Sequence, residues 1–552
     1  MTVVAPADAA GAPDLAPHPH LHPWRAVAVL FFAGFMDLLD VTIVNVALPG
    51  IQRDLHSTYA AVQWVVAAYL LSYAVMLVPA GRAGDVLGRK RLFVIGVAGF
   101  TVASVMCGLA VSPGMLIGSR VLQGAMAAVM TPQVMSFIQV LFPPEQRGPV
   151  VGAFGGMAGL ATVVGPLLGG FLVNADVWGL HWRPVFLINL PVGVAAIVAA
   201  LRVLPESRSP QRLRLDWGGT ALVVAGLLLL LYPVVEGREL GWPLWGWICI
   251  ALSPVVLAVA AHHQVRAARA GESTLVVPKL FVNRGFVGGI LTTVTTMLAL
   301  DGFFLVFTLH LQIGLGYSAL RTGYAGIAFS VATAVAAGLG GAKLAPRFGR
   351  PIITAGAVIM LLGLITLYET VQTTNDVVTP WNLVPAMAIT GFGFGAIVAP
   401  LFDFALAEVP TDDAGAGSGV LGAVQQLGGA IGVAIIGVVF FNALAPAGQA
   451  AAHSQAQQLR QEVPAVVVDA FVRCGDAQAA SKDPTVVPAA CRPPAGVDPS
   501  NPILVKLRTA ALQVQRDAFS TAYRHALIAD MIAVALAVIT TLLLPRRHAA
   551  RG

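Results

Sequence analysis

Gly81-Arg-Ala-Gly-Asp85-Val-Leu-Gly88-Arg89-Lys-Arg-Leu-Phe93 is a short, glycine-rich, strongly basic turn between two apolar runs, 60–80 and 92–110. Each run is long enough to cross a bilayer as a helix of about 20 residues. Glycines such as Gly81 and Gly88 let two helices meet through a tight turn, and Arg89, Lys90 and Arg91 place that turn on the cytoplasmic side. Asp85 interrupts the basic run, where it can pair with Arg89 or face a helix N-terminus. A degraded copy, Gly341-Ala-Lys-Leu-Ala-Pro346-Arg-Phe-Gly-Arg350, returns after another apolar run. One basic turn is an ordinary inner loop. Two, one in each half of a many-helix chain, point to a duplicated six-helix unit.

Composition agrees. A chain of 552 residues that is 57% hydrophobic and 11% charged, with mean hydropathy +0.79, is not a soluble domain. The net charge of +6 is spread over short loops between apolar runs, so positive-inside bias explains it and nucleic acid does not. The expected setting is a cell membrane, crossed many times. The Ala, Gly, Val and Arg bias suggests a bacterial source with a GC-rich genome. Residues 1–23, rich in Ala, Pro and His, read as a disordered cytoplasmic tail without a cleavable signal. His18, His20 and His22 alternate within it; a solvated tail is the simpler reading than a metal site.

The first span, 24–48, is expected to stop at Pro49-Gly50 and carries Asp37 and Asp40 near one face. A carboxylate at membrane depth is unfavourable by several kcal/mol unless it is paired, protonated or facing a cavity. A fourth span, 113–141, travels inward and contains Arg120-Val-Leu-Gln123-Gly124. Arg120 and Asp40 both lie about 10–12 Å below the outer ends of their helices, which leaves an ion pair or a shared network open. The fifth span holds Gly165-Pro166 and Gly169-Gly170, small residues that permit close approach and a proline that weakens the backbone ladder. Trp182-Arg-Pro-Val-Phe-Leu-Ile-Asn-Leu-Pro191 starts the sixth.

Taken in order, Leu39-Asp40-Val-Thr-Ile-Val-Asn-Val-Ala-Leu-Pro49, the basic turn, the Arg120 stretch, Gly165-Pro166 and Trp182–Pro191 resemble one family. It is the fourteen-helix drug:proton antiporter family of the major facilitator superfamily, and the similarity runs from Trp24 to Pro545. The resemblance implies an all-α polytopic membrane protein of the major facilitator fold. Two six-helix bundles, 24–204 and 285–545, would flank two inserted helices and a cytoplasmic linker in 205–284. The last residues, 546–552, would form a second cytoplasmic tail. It also implies that the Gly165, Pro166, Gly169 and Gly170 element is the antiporter motif, which favours exchange over symport. Departures are Val86 for the usual basic residue, Ala161 for the first glycine of the fifth-helix motif, Met126 for a frequent glycine, and Pro346 at the position of Asp85.

The inserted spans, 215–235 and 243–262, lack mid-membrane charge and read as peripheral. The second bundle adds Asp301 near the membrane middle, Asp403 toward an inner end and Asp530 in the last span. Fourteen spans put both termini inside, with Arg and Lys concentrated on the inner loops. One segment, 445–520, is outside and not membrane. Cys474 and Cys491 in it could close a disulfide loop stabilising it by about 3 kcal/mol, while Cys107 and Cys249 fall in apolar spans. Residues 507–523 look amphipathic, suited to lying on the outer surface before the last helix. A lid, a partner site and a plain loop all remain open for the segment.

The expected mechanism follows from the acids. Asp40, Asp37 and Arg120 would couple protons, while Asp301, Asp403 and Asp530 would recognise substrate charge. Gly81, Asp85, Gly88 and Arg89 would form a cytoplasmic gate. No cofactor and no metal are expected, the proton gradient being the energy source. The expected partners are the bilayer, protons and a small amphiphilic or cationic molecule; oligomeric state is not readable. An exporter of an endogenous lipid, siderophore or metabolite would use the same chemistry. A membrane enzyme would need a His-Glu-x-x-His, clustered metal ligands or a nucleophile elbow, none of which the sequence presents. A non-transporting receptor would not need intramembrane acids in both halves.

Overall fold

The computed structural model describes residues 23–207, 216–272, 274–339, 344–374, 378–407, 409, 414–481, 488–492 and 501–545. The tails with His18, His20 and His22 and with 546–552 lie outside the described residues, as does the side chain of Asp85. Among the described residues every regular element is helical. The first six spans are α1 (Pro23–Asp54), α2 (Tyr59–Leu87), α3 (Arg89–Gly108), α4 (Pro113–Leu141), α5 (Pro144–Ala175) and a broken sixth made of α6 (Pro184–Leu187) and α7 (Asn189–Val203). The inserted pair is α8 (Trp217–Glu236) and α9 (Leu244–Arg269). The second six are α10 (Arg284–Leu309), α11 (Ala319–Leu339), then, after the short α12 (Ala345–Phe348), α13 (Pro351–Thr373), α14 (Pro380–Leu406), α15 (Ala414–Leu459) and, past an outer helix α16 (Ala465–Ala480), α17 (Pro502–Thr541). Among the described residues thirteen helices are long and apolar enough to cross a membrane, and α5 adds a shorter apolar stretch, Val163–Ala175. With α5 the count reaches the expected fourteen.

The duplication is visible in who packs on whom. In the first bundle α2 and α3 pack on α4, α1 on α5, and α1 and α3 on α7. The second repeats each pairing: α11 and α13 on α14, α10 on α15, and α10 and α13 on α17. The bundles meet along two equivalent seams, α2 against α15 and α5 against α11. The basic turns are equivalent too. Gly88, at φ 105°, is all that separates α2 from α3, and Gly349, at φ 70°, separates α12 from α13. A left-handed residue with no Cβ is what so tight a corner requires. The arginine after each glycine then reaches the chain following the last span of its own bundle. Arg89 bonds Ser207 through its backbone N–H (2.9 Å) and guanidinium (3.3 Å), and the Arg350 guanidinium donates to the Leu542 carbonyl at 2.8 Å.

Three expectations need correction. α1 does not stop at Pro49-Gly50 but runs on to Asp54. One proline near a helix end removes a single rung, and the extra turn is anchored because Asp54 accepts from Trp182 Nε1 (2.9 Å) and Arg183 (2.6 Å). Within 445–520 most of the described residues are helical. α15, 46 residues and about 70 Å long, continues well past the span, and α17 starts at Pro502, so 507–523 stands upright within a 40-residue helix instead of lying on the surface. Val463, Val468 and Ala510 bury a small separate core between α15, α16 and α17, and Cys474 and Cys491 are bonded beside it. Finally, α8 is peripheral on one face only. It rests on α2 and α15, one helix from each bundle, with Glu236 accepting from Trp64 Nε1 at 3.0 Å and Glu239 from the Ala60 N–H at 2.9 Å. α9, whose Leu244, Trp247 and Val255 are exposed, is the outer partner.

Candidate transport site

The first bundle encloses two buried carboxylates, one helical turn apart on α1. Asp40 is fully buried and its Oδ2 lies 2.6 Å from the Arg120 guanidinium of α4. Its Oδ1 accepts from Gln123 Nε2 and Asn189 Nδ2, each at 2.9 Å. Arg120 also donates to the Val65 carbonyl (3.1 Å) and to Gln123 Oε1 (2.8 Å). Ser104 on α3 ties the ring together, accepting from Asn189 (2.9 Å) and Gln123 (3.2 Å) and donating to the Phe186 carbonyl (2.9 Å). A buried ion pair is tolerated when its remaining lone pairs and protons are satisfied, as here. The equal depth that the sequence gives Asp40 and Arg120 corresponds to a direct contact.

Asp37 is held differently. Tyr69 donates to Oδ1 at 2.5 Å, and Tyr73 (3.3 Å) and Thr131 (3.1 Å) donate to Oδ2. Three hydroxyls surround it, and it has no cationic partner among the described residues. Tyr69 also carries the Arg120 guanidinium over its ring, 4.1 Å from the centroid, so one side chain touches both acid sites. Sequence reading missed Tyr69, Tyr73, Thr131, Ser104 and Asn189. The signal was there for the tyrosines: two phenols four residues apart in an apolar span share a face.

The fifth-helix glycines are packing surfaces. A Cβ on Gly165 would fall 1.9 Å from Thr42 Oγ1, and one on Gly169 2.7 Å from Ile43, both on α1. Gly170 turns to the other bundle, where a Cβ would meet Leu320 Cα at 2.7 Å, and the Pro166 carbonyl lies against Gly323. The motif therefore fixes α5 between the acid-bearing helix and α11 across the seam. Gly81 faces Pro132 at ordinary contact distance. Arg89 bonds within its own bundle, as described above.

The second-bundle acids do not share a site. Asp301 sits on α10 with its carboxylate over Gly429 of α15, near Leu70 of α2, and so lies at the seam between bundles. Asp301 thus faces α15 and the seam, whereas Asp40 faces α4 and α7 inside its own bundle. Gly391 packs on α11 as Gly124 packs on α2, which sets Met387 at the place of Arg120, so the second bundle has no arginine there. Asp403 is exposed near the inner end of α14. Because Gly289 packs on Ala405, Asp403 lies about 15 Å further inward than Asp301. Asp530 is fully buried inside the bundle. Of the three, Asp301 alone borders the inter-bundle seam.

The bundles close on each other toward the outer side. Tyr59 packs on Phe441 with tilted rings 4.3 Å apart between centroids, Gln63 donates to the Val433 carbonyl at 3.4 Å, and Gln312 donates to the Val46 carbonyl at 2.9 Å. Further inward, Gly156, Gly326 and Gly338 face open space.

Comparison with known proteins agrees with this architecture. Residues 30–433 match the Major Facilitator Superfamily. The chain is 43% identical over 449 residues to a probable actinorhodin transporter of Streptomyces coelicolor, covering 81% of this chain and 78% of that one. It is 35% identical to the puromycin resistance protein pur8 of Streptomyces alboniger, covering 76% of this chain and 82% of the other. Among solved structures, a bacterial homologue of the human lysosomal transporter Spinster, inward-facing and unoccupied, superposes with TM-score 0.60 at 16% identity over 96% of this chain and 99% of that one.

Proposed function

The chain belongs to the Major Facilitator Superfamily, a multi-pass membrane transporter family, and from that premise we propose that it is a proton-coupled exporter of antibiotic-like amphiphilic or cationic small molecules. The observation that carries the reading is the pairing of unlike acids on α1. Asp40 is neutralised by Arg120 and fully hydrogen-bonded, whereas Asp37, one turn away, has only hydroxyl partners among the described residues. A carboxyl in apolar surroundings with no countercharge is suited to take up and give back a proton, while its paired neighbour sets the local field. Tyr69 touches both, so a change of charge on Asp37 is felt at Arg120.

Transport requires the proton site to answer to the substrate. Asp301 lies at the seam, where a cationic or amphiphilic molecule between the bundles would meet it. The outer contacts support a state closed on the outer side, and rocking along the α2–α15 and α5–α11 seams supplies alternating access. The substrate class follows relatives named for actinorhodin and puromycin. The energy source is the proton gradient.

The test is proton movement in proteoliposomes under a pH gradient, with ethidium and then a panel of neutral antibiotics added. Substrate-triggered collapse of the gradient that disappears in Asp37→Asn supports the reading. Collapse that survives there and disappears in Asp40→Asn moves the proton to the Arg120 pair. No collapse with any compound in the native protein sinks antiport of drugs and favours an endogenous lipid or metabolite as cargo.

A further inference from the structure

Three buried polar groups in the second bundle have no part in the site described above. His310, at the outer end of α10, stacks on Tyr523 of α17 with ring centroids 4.5 Å apart and planes 11° from parallel. Asp530 follows Tyr523 by two turns on the same helix, about 10 Å further in. All three are buried, and both His310 nitrogens, the Tyr523 hydroxyl and both Asp530 oxygens lack a hydrogen-bond partner among the described residues. Buried polar atoms are nearly always satisfied, and an ionised carboxylate without a partner is especially unfavourable. Five such atoms along one line are therefore a feature of use.

The surroundings narrow what that use is. Two contacts, Thr292 with Thr540 at 3.0 Å and His310 with Tyr523, fix the antiparallel register of α10 and α17. That register puts Asp530 level with Asp301. Among the described residues no lysine or arginine faces the trio. α15 carries no titratable residue in its membrane portion, and α13 offers only Tyr368 and the exposed Glu369 at its outer end. On α17 itself Arg524 turns to Thr521 (3.3 Å) and His525 is exposed. On α11, Arg321 stacks on Tyr317. A site with no fixed cation among the described residues, closed to solute and lined by an imidazole, a phenol and a carboxyl, matches a proton better than any larger ligand.

His310 also opens a π turn, His310–Gly314, a local widening often found at functional positions. That turn carries the closing contact of the outer side. Gln312 reaches the Val46 carbonyl of α1 in the opposite bundle, and the Ile313 carbonyl accepts from Gln515 on the outer part of α17.

We propose that His310, Tyr523 and Asp530 form a second proton-exchange site, in the C-terminal bundle, reached from the outer side when the Gln312–Val46 contact opens. It rests on the proton-coupled reading above for its purpose, though not for its existence. The step is proton exchange alone. A proton from outer water joins the Asp530 carboxylate by way of the imidazole and phenol, and the same proton later returns to water on the inner side. Opening of the outer seam disturbs the π turn and exposes His310, which ties loading to the outward state.

The experiment is difference infrared spectroscopy of the full-length protein in proteoliposomes, stepping the medium between acid and alkaline pH in H2O and D2O. A deuterium-sensitive carboxylic-acid C=O band should appear, be lost in Asp530→Asn and shift in Tyr523→Phe, a variant that keeps the ring stack. A spectrum unchanged in Asp530→Asn overturns the proposal. Ethidium-driven proton movement is then measured on the same vesicles. Loss of uphill ethidium accumulation in Asp530→Asn, with downhill ethidium exchange retained, places the site in the coupling path. Uphill accumulation retained at the native level overturns that role. A native protein that shows the Asp530 band but moves no protons with ethidium or with any of the neutral antibiotics overturns the drug-exporter reading and leaves the proton site standing.

Discussion

Arg120 shows how much one side chain holds at membrane depth. Its guanidinium neutralises Asp40, bonds Gln123 and the Val65 carbonyl, and covers the Tyr69 ring. Arg120→Ala would leave a buried carboxylate uncompensated, a loss of about 3–5 kcal/mol. The expected outcome is a large fall in the thermal midpoint of the detergent-solubilised protein. Arg120→Lys cannot reproduce a fork that serves three acceptors and a ring face, so it should fall between Ala and the native residue. Asp37→Asn is predicted to behave in the opposite way. Its partners are hydroxyls that can reorient toward an amide, so the midpoint should barely move while substrate-driven proton movement is lost. If Asp37→Asn destabilises as severely as Arg120→Ala, the acid is structural and the division of labour fails. Asp40 and Arg120 were legible in the sequence because a charge in an apolar run declares itself. Around Asp37 the spacing of Tyr69 and Tyr73 showed a shared face, but which acid they meet, and that Thr131 joins them, only packing shows.

Helix ends and helix crossings carry the next scale. Asp216 caps α8 by accepting from the Gly219 N–H at 2.7 Å, and it clamps α9 through Gln264 at 2.7 Å and His263 at 3.2 Å. Burial pushes its carboxyl up, but these bonds outweigh burial and hold it below the ordinary range. With a folded value depressed in this way, the stabilisation is complete above the unfolded value near ~4 and is lost as pH falls through the folded one. Asp216→Ala should therefore weaken the α8–α9 pair by about 1 kcal/mol at neutral pH and make no difference in strong acid. Thermal unfolding of both proteins across pH reads this directly; a difference that persists in strong acid would exclude the carboxylate as its source. On α5, Gly165→Ala places a methyl where Thr42 Oγ1 already sits. The helix must move off α1, and transport should drop sharply, with partial recovery on adding Thr42→Ala. Full transport by Gly165→Ala alone would mean that this crossing is not critical. The crossing was readable as a run of small residues, and the single-residue corner at Gly88 was readable from its glycine. The upright outer part of α17 was not, because its apolar stripe suits a membrane surface as well as it suits α15 and α16, and only the tertiary partner decides.

At the scale of the whole molecule, two six-helix units of one plan have come to differ where function requires it. The first buries an acid against an arginine; the second sets Met387 where the arginine would be and carries Asp301 at the seam. If the halves move as units, as proposed above, the arrangement says where they part. Their outer contacts, Tyr59 on Phe441 and Gln312 on Val46, join residues far apart in sequence, and α8 braces the same side through Glu236 and Glu239. Alternating access demands that these contacts break in every cycle, whatever the cargo. Tyr59→Cys with Phe441→Cys, made in a Cys249→Ser background, tests that demand. A short, reducible dithiol-reactive cross-linker should bridge the pair, stop ethidium export, and release it on reduction. Each single-cysteine variant, treated alike, controls for reduction of the Cys474–Cys491 disulfide. The cross-linked protein should still bind ethidium from the inner side, since the lock holds the conformation closed at the outer contacts. Export at the native rate with the bridge in place would mean that the outer seam never opens, and the rocking of two bundles would have to be replaced by a different motion.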